Sequence, residues 1–220
     1  MSSFIAKCPC RPDPDREPPE GWTGEKLFAF KFCRYFEDLN PVLINAARDG
    51  DVAMVEALLA HGASTAYLRY DESRVEEWGL SPLTAAVASD SLECVKLLVA
   101  AGADVNECLS DWRGPALNHV RSAQMVEWLL AQGADINYSI WERKNQQTAL
   151  HTAIFNRREE VVAALVANGA DLDIRNYDGL TPLEFAEEGA QGRWGIEPAA
   201  CLGVLEILKA STPDPPSPAR

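Results

Sequence analysis

Histidine is the scarcest catalytic resource of this 220-residue chain: only three occur, His61, His119 and His151. None sits in a motif with a nucleophile or acid partner, and acid–base or nucleophilic chemistry needs such grouping. There is no Gly-x-Gly-x-x-Gly, no phosphate loop, no Gly-x-Ser-x-Gly and no His-Glu-x-x-His. Dinucleotide, triphosphate, hydrolase and zinc-protease chemistries therefore have no support in the sequence. Bases are also few, 20 Lys plus Arg against 33 Asp plus Glu, for a formal charge of −13. The longest basic runs are the pairs Arg143-Lys144 and Arg157-Arg158. A nucleic-acid surface needs a basic stripe to displace counterions, so that class is excluded, and an acidic membrane would repel the chain for the same reason.

Six cysteines are too sparse for a disulfide scaffold, which fits a reducing compartment. Cytoplasm is the expected location, with the nucleus open. Cys8-Pro-Cys10 is spaced too tightly for a common zinc pair, so no metal and no cofactor is expected. The opening Met-Ser-Ser-Phe-Ile-Ala-Lys-Cys lacks an apolar stretch of signal-peptide length, and no segment approaches the roughly 20 apolar residues of a membrane span.

What the chain does have is repetition. Asp-Gly-Asp-Val-Ala-Met-Val-Glu-Ala-Leu-Leu-Ala-His-Gly-Ala-Ser (49–64) returns in variant form at 92–106, 125–137 and 160–173. Within these copies, apolar residues recur at helical spacing: Val55, Leu58 and Leu59; Val95, Leu98 and Val99; Val126, Leu129 and Leu130; Val162, Leu165 and Val166. That spacing marks one face of an α-helix. Gly62, Gly102, Gly133 and Gly169 follow where a helix needs a left-handed residue to stop. A shorter helix precedes each copy. It opens with Ser81-Pro82-Leu83, Thr148-Ala149-Leu150 or Thr181-Pro182-Leu183, a hydroxyl cap with Pro tolerated in the first turn. Leu43 and Leu117 head weaker copies.

Steps between Leu43, Leu83, Leu117, Leu150 and Leu183 are 40, 34, 33 and 33 residues. A 33-residue period joining Thr-Pro-Leu-His-x-Ala-like and Gly-Ala-Asp-Val-Asn-like pieces resembles the ankyrin repeat. The resemblance implies an all-α solenoid: an ankyrin-repeat stack of helix pairs with β-hairpin or loop fingers, each repeat burying its apolar face against its neighbours. Five repeats are expected, at 41–78, 79–112, 113–145, 146–178 and 179–210. Residues 1–25 read as a flexible Pro-rich arm, 26–40 as an N-terminal capping helix and 211–220 as a disordered Pro-rich tail.

Departures from the period point to purpose, because the scaffold is generic. About seven extra residues lengthen the first finger (66–79), about three lengthen the third (138–147), and an insertion at 189–198 interrupts the fifth repeat. By family geometry that insertion is expected opposite the fingers. The third repeat is three residues short between Leu117 and Gly133.

Tyr67, Tyr70, Trp78, Trp112, Tyr138, Trp141 and Tyr177 fall in finger segments, and exposed Trp and Tyr supply interface hot spots. Packing of finger on finger is the competing role. Register with the family puts Arg48, Asp49, Ser89, Phe155, Asn156 and Glu188 on the inner face of the stack. Asn106 and Asn137 resemble ankyrin asparagines that are hydroxylated, with turn hydrogen bonding as the plainer reason for them.

These features favour a non-catalytic adaptor, scaffold or inhibitor, monomeric by itself, that holds another protein with a basic surface, since acid on the module steers such partners. Two alternatives are an ankyrin-based enzyme, with loops roofing a groove over His119 or Arg48, and an assembly chaperone.

Overall fold

A computed structural model describes residues 39–66, 81–108, 114–138, 147–193 and 201–211. The chain divides into two compact units, Met1–Asp104 and Val105–Arg220. Among the described residues every regular element is helical and no strand occurs.

The first unit contains α1 (Asn40–Asp49), α2 (Val52–Ala60), α3 (Pro82–Ala88) and α4 (Leu92–Ala100). α1 packs on α2 and α3, while α4 packs on α3 and α2. Local chemistry sets the helix ends. Ser81 Oγ accepts from Thr84 N at 3.1 Å and Thr84 Oγ1 accepts from Ser81 N at 2.7 Å, a reciprocal pair that satisfies two orphan donors at the start of α3. Asp51 accepts from Met54 N at 3.1 Å and starts α2. Gly62 and Gly102 take φ of 85° and 97° after α2 and α4, and both helices stop there as their glycines require. Leu43, Leu58, Leu83 and Leu98 are fully buried, each contributing about 2 kcal/mol of transfer free energy.

The second unit holds a 3-10 turn (Ala116–His119), α5 (Ala123–Ala131), α6 (Ala149–Phe155), α7 (Glu159–Ala167), α8 (Pro182–Ala190) and α9 (Leu202–Ser211). The 3-10 turn, α6 and α8 form one row by successive contact, and α5, α7 and α9 form a second row behind it. This is the two-layer helix-pair stack that the period predicts. The three-residue deficit of the third repeat appears as the 3-10 turn: four residues replace the seven of α6. Helix α9 runs through Ser211, one residue into the segment read from sequence as a tail.

His151 sits at the centre of this unit with no exposed surface. Its Nδ1 lies 2.9 Å from Thr148 Oγ1 and its Nε2 lies 3.3 Å from the Leu180 carbonyl. Thr148 therefore caps α6 while holding the imidazole, and the imidazole ties α6 to the finger before α8. Phe185 meets the ring edge-on, with centroids 5.9 Å apart. Burial lowers the imidazole pKa to about 4, against a small opposing effect of the Leu180 carbonyl, so the ring is neutral in the folded chain.

Candidate protein-interaction surface

Successive fingers of the second unit are tied by asparagines. Asn106 Nδ2 donates to the Gly133 carbonyl at 2.9 Å, and its Oδ1 accepts from Asp135 N at 2.8 Å. One repeat on, Asn137 Oδ1 accepts from Asp171 N at 2.9 Å. Asp135 and Asp171 each turn back on their own finger, accepting from Asn137 N and Asp173 N. In the first unit Asn40 Oδ1 plays a comparable part, accepting from Ser64 N at 2.9 Å. A carboxamide suits this position because it both donates and accepts in one plane.

The finger before α8 is a tight turn closed around Asn176. Its side-chain oxygen accepts from Asp178 N and Leu180 N, both at 3.0 Å, and Gly179 takes φ of 78°. The turn holds Tyr177 at its tip, 50% exposed. Burial and the adjacent Asp178 carboxylate raise the Tyr177 pKa, and the Arg193 charge opposes them, so the phenol is protonated at neutral pH. Arg175 braces the same finger, reaching the Gly179 carbonyl at 2.6 Å and Glu184 at 2.9 Å. Tyr138 behaves differently. It is half-buried, and its hydroxyl bonds the Cys108 thiol of the preceding finger.

At the ends of the first helices, Arg48, Phe155 and Glu188 occupy one register position, each five residues after the leading Leu. Phe155 is 48% exposed, an unusual state for a phenylalanine. Asn156 beside it is exposed and donates to the Thr152 carbonyl at 2.9 Å. Arg48 and Asp49 are exposed in the first unit, with Arg48 touching Asn45 Oδ1 at 3.3 Å. Ser89 donates to the Ala47 and Ala86 carbonyls at 3.0 and 2.9 Å, joining α3 to α1.

Glu188 pairs with Arg193, which lies within the inserted segment; residues 194–198 of that segment lie outside the described residues. Tyr67, Tyr70, Trp78, Trp112 and Trp141 lie outside the described residues.

Little catalytic chemistry gathers among the described residues. No three His, Cys, Asp or Glu side chains group closely enough to hold a metal ion. His119 is half-buried in the 3-10 turn, and its carbonyl accepts from Arg158. Cys94 and Cys201 are buried, and desolvation raises both thiol pKa values, which makes them poor nucleophiles. No described helix is long and apolar enough to cross a membrane.

The family model for ankyrin repeats (3 copies) matches residues 27–107 and 116–192. The chain belongs to the ankyrin-repeat family. Among curated proteins it is similar to the nuclear factor NF-kappa-B p105 subunit of Gallus gallus, 33% identical over 177 residues, which cover 80% of this chain and 13% of that protein. It is also similar to the NF-kappa-B inhibitor alpha of Homo sapiens, 30% identical over 99 residues, covering 44% of this chain and 31% of that protein. A third relative is the ankyrin repeat and KH domain-containing protein mask-1 of Caenorhabditis elegans, 35% identical over 180 residues, covering 79% of this chain and 6% of that protein. The chain thus spans less than a third of the length of each of these relatives. Ankyrin membership supports a protein-interaction module as the general role.

Proposed function

We propose that this chain is a non-catalytic adaptor, scaffold or inhibitor that holds a partner protein through its first-helix ends and its aromatic fingers. The observation that carries this reading is the exposure of Phe155 and Tyr177. Only four large apolar side chains are exposed among the described residues, Val52, Phe155, Tyr177 and Leu202. Two of the four are aromatic, and both stand at register positions that face away from the helix-pair core. Large aromatics in such places supply the anchors of interfaces. In this proposal Asn156 is a polar contact beside Phe155 in the second unit, Arg48 and Asp49 are contact residues of the first unit, and Tyr67, Tyr70, Trp78, Trp112 and Trp141 are further contact residues. Tyr138 contributes its exposed edge while its hydroxyl stays with Cys108.

The partner is a protein with a basic surface, because a chain of net charge −13 attracts one. A relative named as an inhibitor of NF-kappa-B supports inhibition of another protein as one form of this role. The module is a monomer in the cytoplasm or nucleus. Asn106 and Asn137 are proposed as hydroxylation positions whose carboxamides also tie the fingers.

Affinity capture with wild-type chain and a Phe155→Ala/Tyr177→Ala variant tests the proposal. A set of partners lost from the variant, and lost from wild type at high salt, supports it. Equal recovery by both chains contradicts it.

A further inference from the structure

The third repeat is built on a different plan from its neighbours. Leu117 stands 33 residues before Leu150, so Asn118 occupies the position of His151 and Pro115 that of Thr148. Asn118 copies half of the histidine's work: its Nδ2 donates to the Gln147 carbonyl at 3.3 Å, as His151 Nε2 meets Leu180 one repeat later. The other half has no counterpart. Thr148 offers His151 a hydroxyl, but Pro115 has none, and Asn118 Oδ1 is left buried with no hydrogen-bond partner. A buried orphan acceptor is a standing cost to the folded state. Pro115 also leaves the turn without a side-chain cap.

Truncation adds a second defect. The helix ends as a 3-10 turn at His119, so the carbonyls of His119 and Val120 have no following helical turn to pair with. Arg158 supplies the donors instead, its Nη1 reaching both carbonyls. Arg158 comes from the position where Asp51, Ser91 and Ser122 begin the equivalent second helices. It gives α7 no side-chain cap, and Glu159 and Glu160 supply the acidic first turn that suits a helix N-terminus.

We propose that the third repeat is the built-in opening point of this chain, a segment (115–122) that opens locally while α6, α7 and α8 stay folded, with Arg158 as its latch. Opening frees Asn118 from its unsatisfied burial but uncovers Ala116, Leu117 and Val120, each at most 2% exposed, so the opened form is a minor population. Segments that open locally are the ones that rearrange when a protein meets its partner.

Native-state hydrogen exchange on the full chain, read by mass spectrometry, tests this. In wild type, amides of 116–122 are expected to exchange roughly tenfold or more faster than those of 149–155, the factor set by one unmade buried hydrogen bond. Arg158→Asp removes the latch and restores a helix cap, so 116–122 should lose protection while 159–167 gains it. Pro115→Thr/Asn118→His restores the missing hydroxyl and ring, and should raise protection of 116–122 to the level of 149–155. Equal protection of the two segments in wild type would overturn the proposal. So would parallel loss over 116–122 and 159–167 in Arg158→Asp, which is what general destabilisation produces.

Discussion

Thr148 Oγ1 stands 2.9 Å from His151 Nδ1 inside the core of the second unit, and the burial of that imidazole makes the fold acid-sensitive. The folded imidazole has its pKa lowered to about 4 by burial, whereas the unfolded one titrates near 6.5. Stability from keeping the ring neutral is therefore whole above about pH 6.5 and is lost as pH falls toward 4. The total is on the order of 3 kcal/mol, at roughly 1.4 kcal/mol per pH unit. Urea unfolding at pH 7 and pH 5 should show a larger drop for wild type than for His151→Gln. Identical drops would remove His151 as the cause.

Two glycines that each lie close to a side chain should respond oppositely to alanine. A Cβ on Gly114 would come within 2.4 Å of the buried Asn118 Nδ2, and Gly114 holds φ of 66°. Gly114→Ala is expected to cost about 1–3 kcal/mol through clash and left-handed strain. A Cβ on Gly203 would also meet a neighbour at 2.4 Å, but that neighbour is the tip of Glu159, an exposed and flexible side chain. Gly203→Ala should be neutral, or stabilising by up to about 1 kcal/mol through helix propensity. Thermal melts of the two variants check the contrast.

Asn106 makes two bonds to the next finger where Asn137 makes one. Asn106→Ala should accordingly destabilise by about 1–2 kcal/mol and Asn137→Ala by about half of that. Chemical denaturation gives the order, and a reversed order would show that the finger ladder is not what these residues support.

Thr181 and Glu184 form a reciprocal cap at the start of α8, with Glu184 accepting from Thr181 N at 2.8 Å and Thr181 from Glu184 N at 3.3 Å. The bond from Thr181 N, aided by Arg175, holds the Glu184 carboxyl below its ordinary range. Thr181→Ala should cost about 1 kcal/mol, and because alanine keeps the main-chain N–H that bonds Glu184, NMR titration should show the Glu184 carboxyl still held below its ordinary range.

Much of this architecture is written in short-range pattern. Val55, Leu58, Val95 and Leu98 announce a buried helical face, and all four are buried. Gly133 and Gly169 announce helix ends and take φ of 90° and 86°. Such signals are local, so they survive in a single sequence. The third repeat was harder to read. His119 draws the eye as a histidine without a stock role, whereas Asn118 is the residue in the structural histidine's place. Arg158 reads as half of a basic pair, because its partners are backbone carbonyls 38 and 39 residues away and carbonyls leave no trace in sequence. Arg193 is similar: an insertion places it, and only the fold shows that it meets Glu188.

Site-specific photo-crosslinking tests the interaction surface most directly. A photoreactive amino acid is placed at Phe155, at Tyr177 or at Ala163, an exposed position of α7 in the row behind. The chain is then irradiated with its captured partner. Adducts from positions 155 and 177, and none from 163, are the expected result; adducts from 163 alone would contradict the surface proposed here.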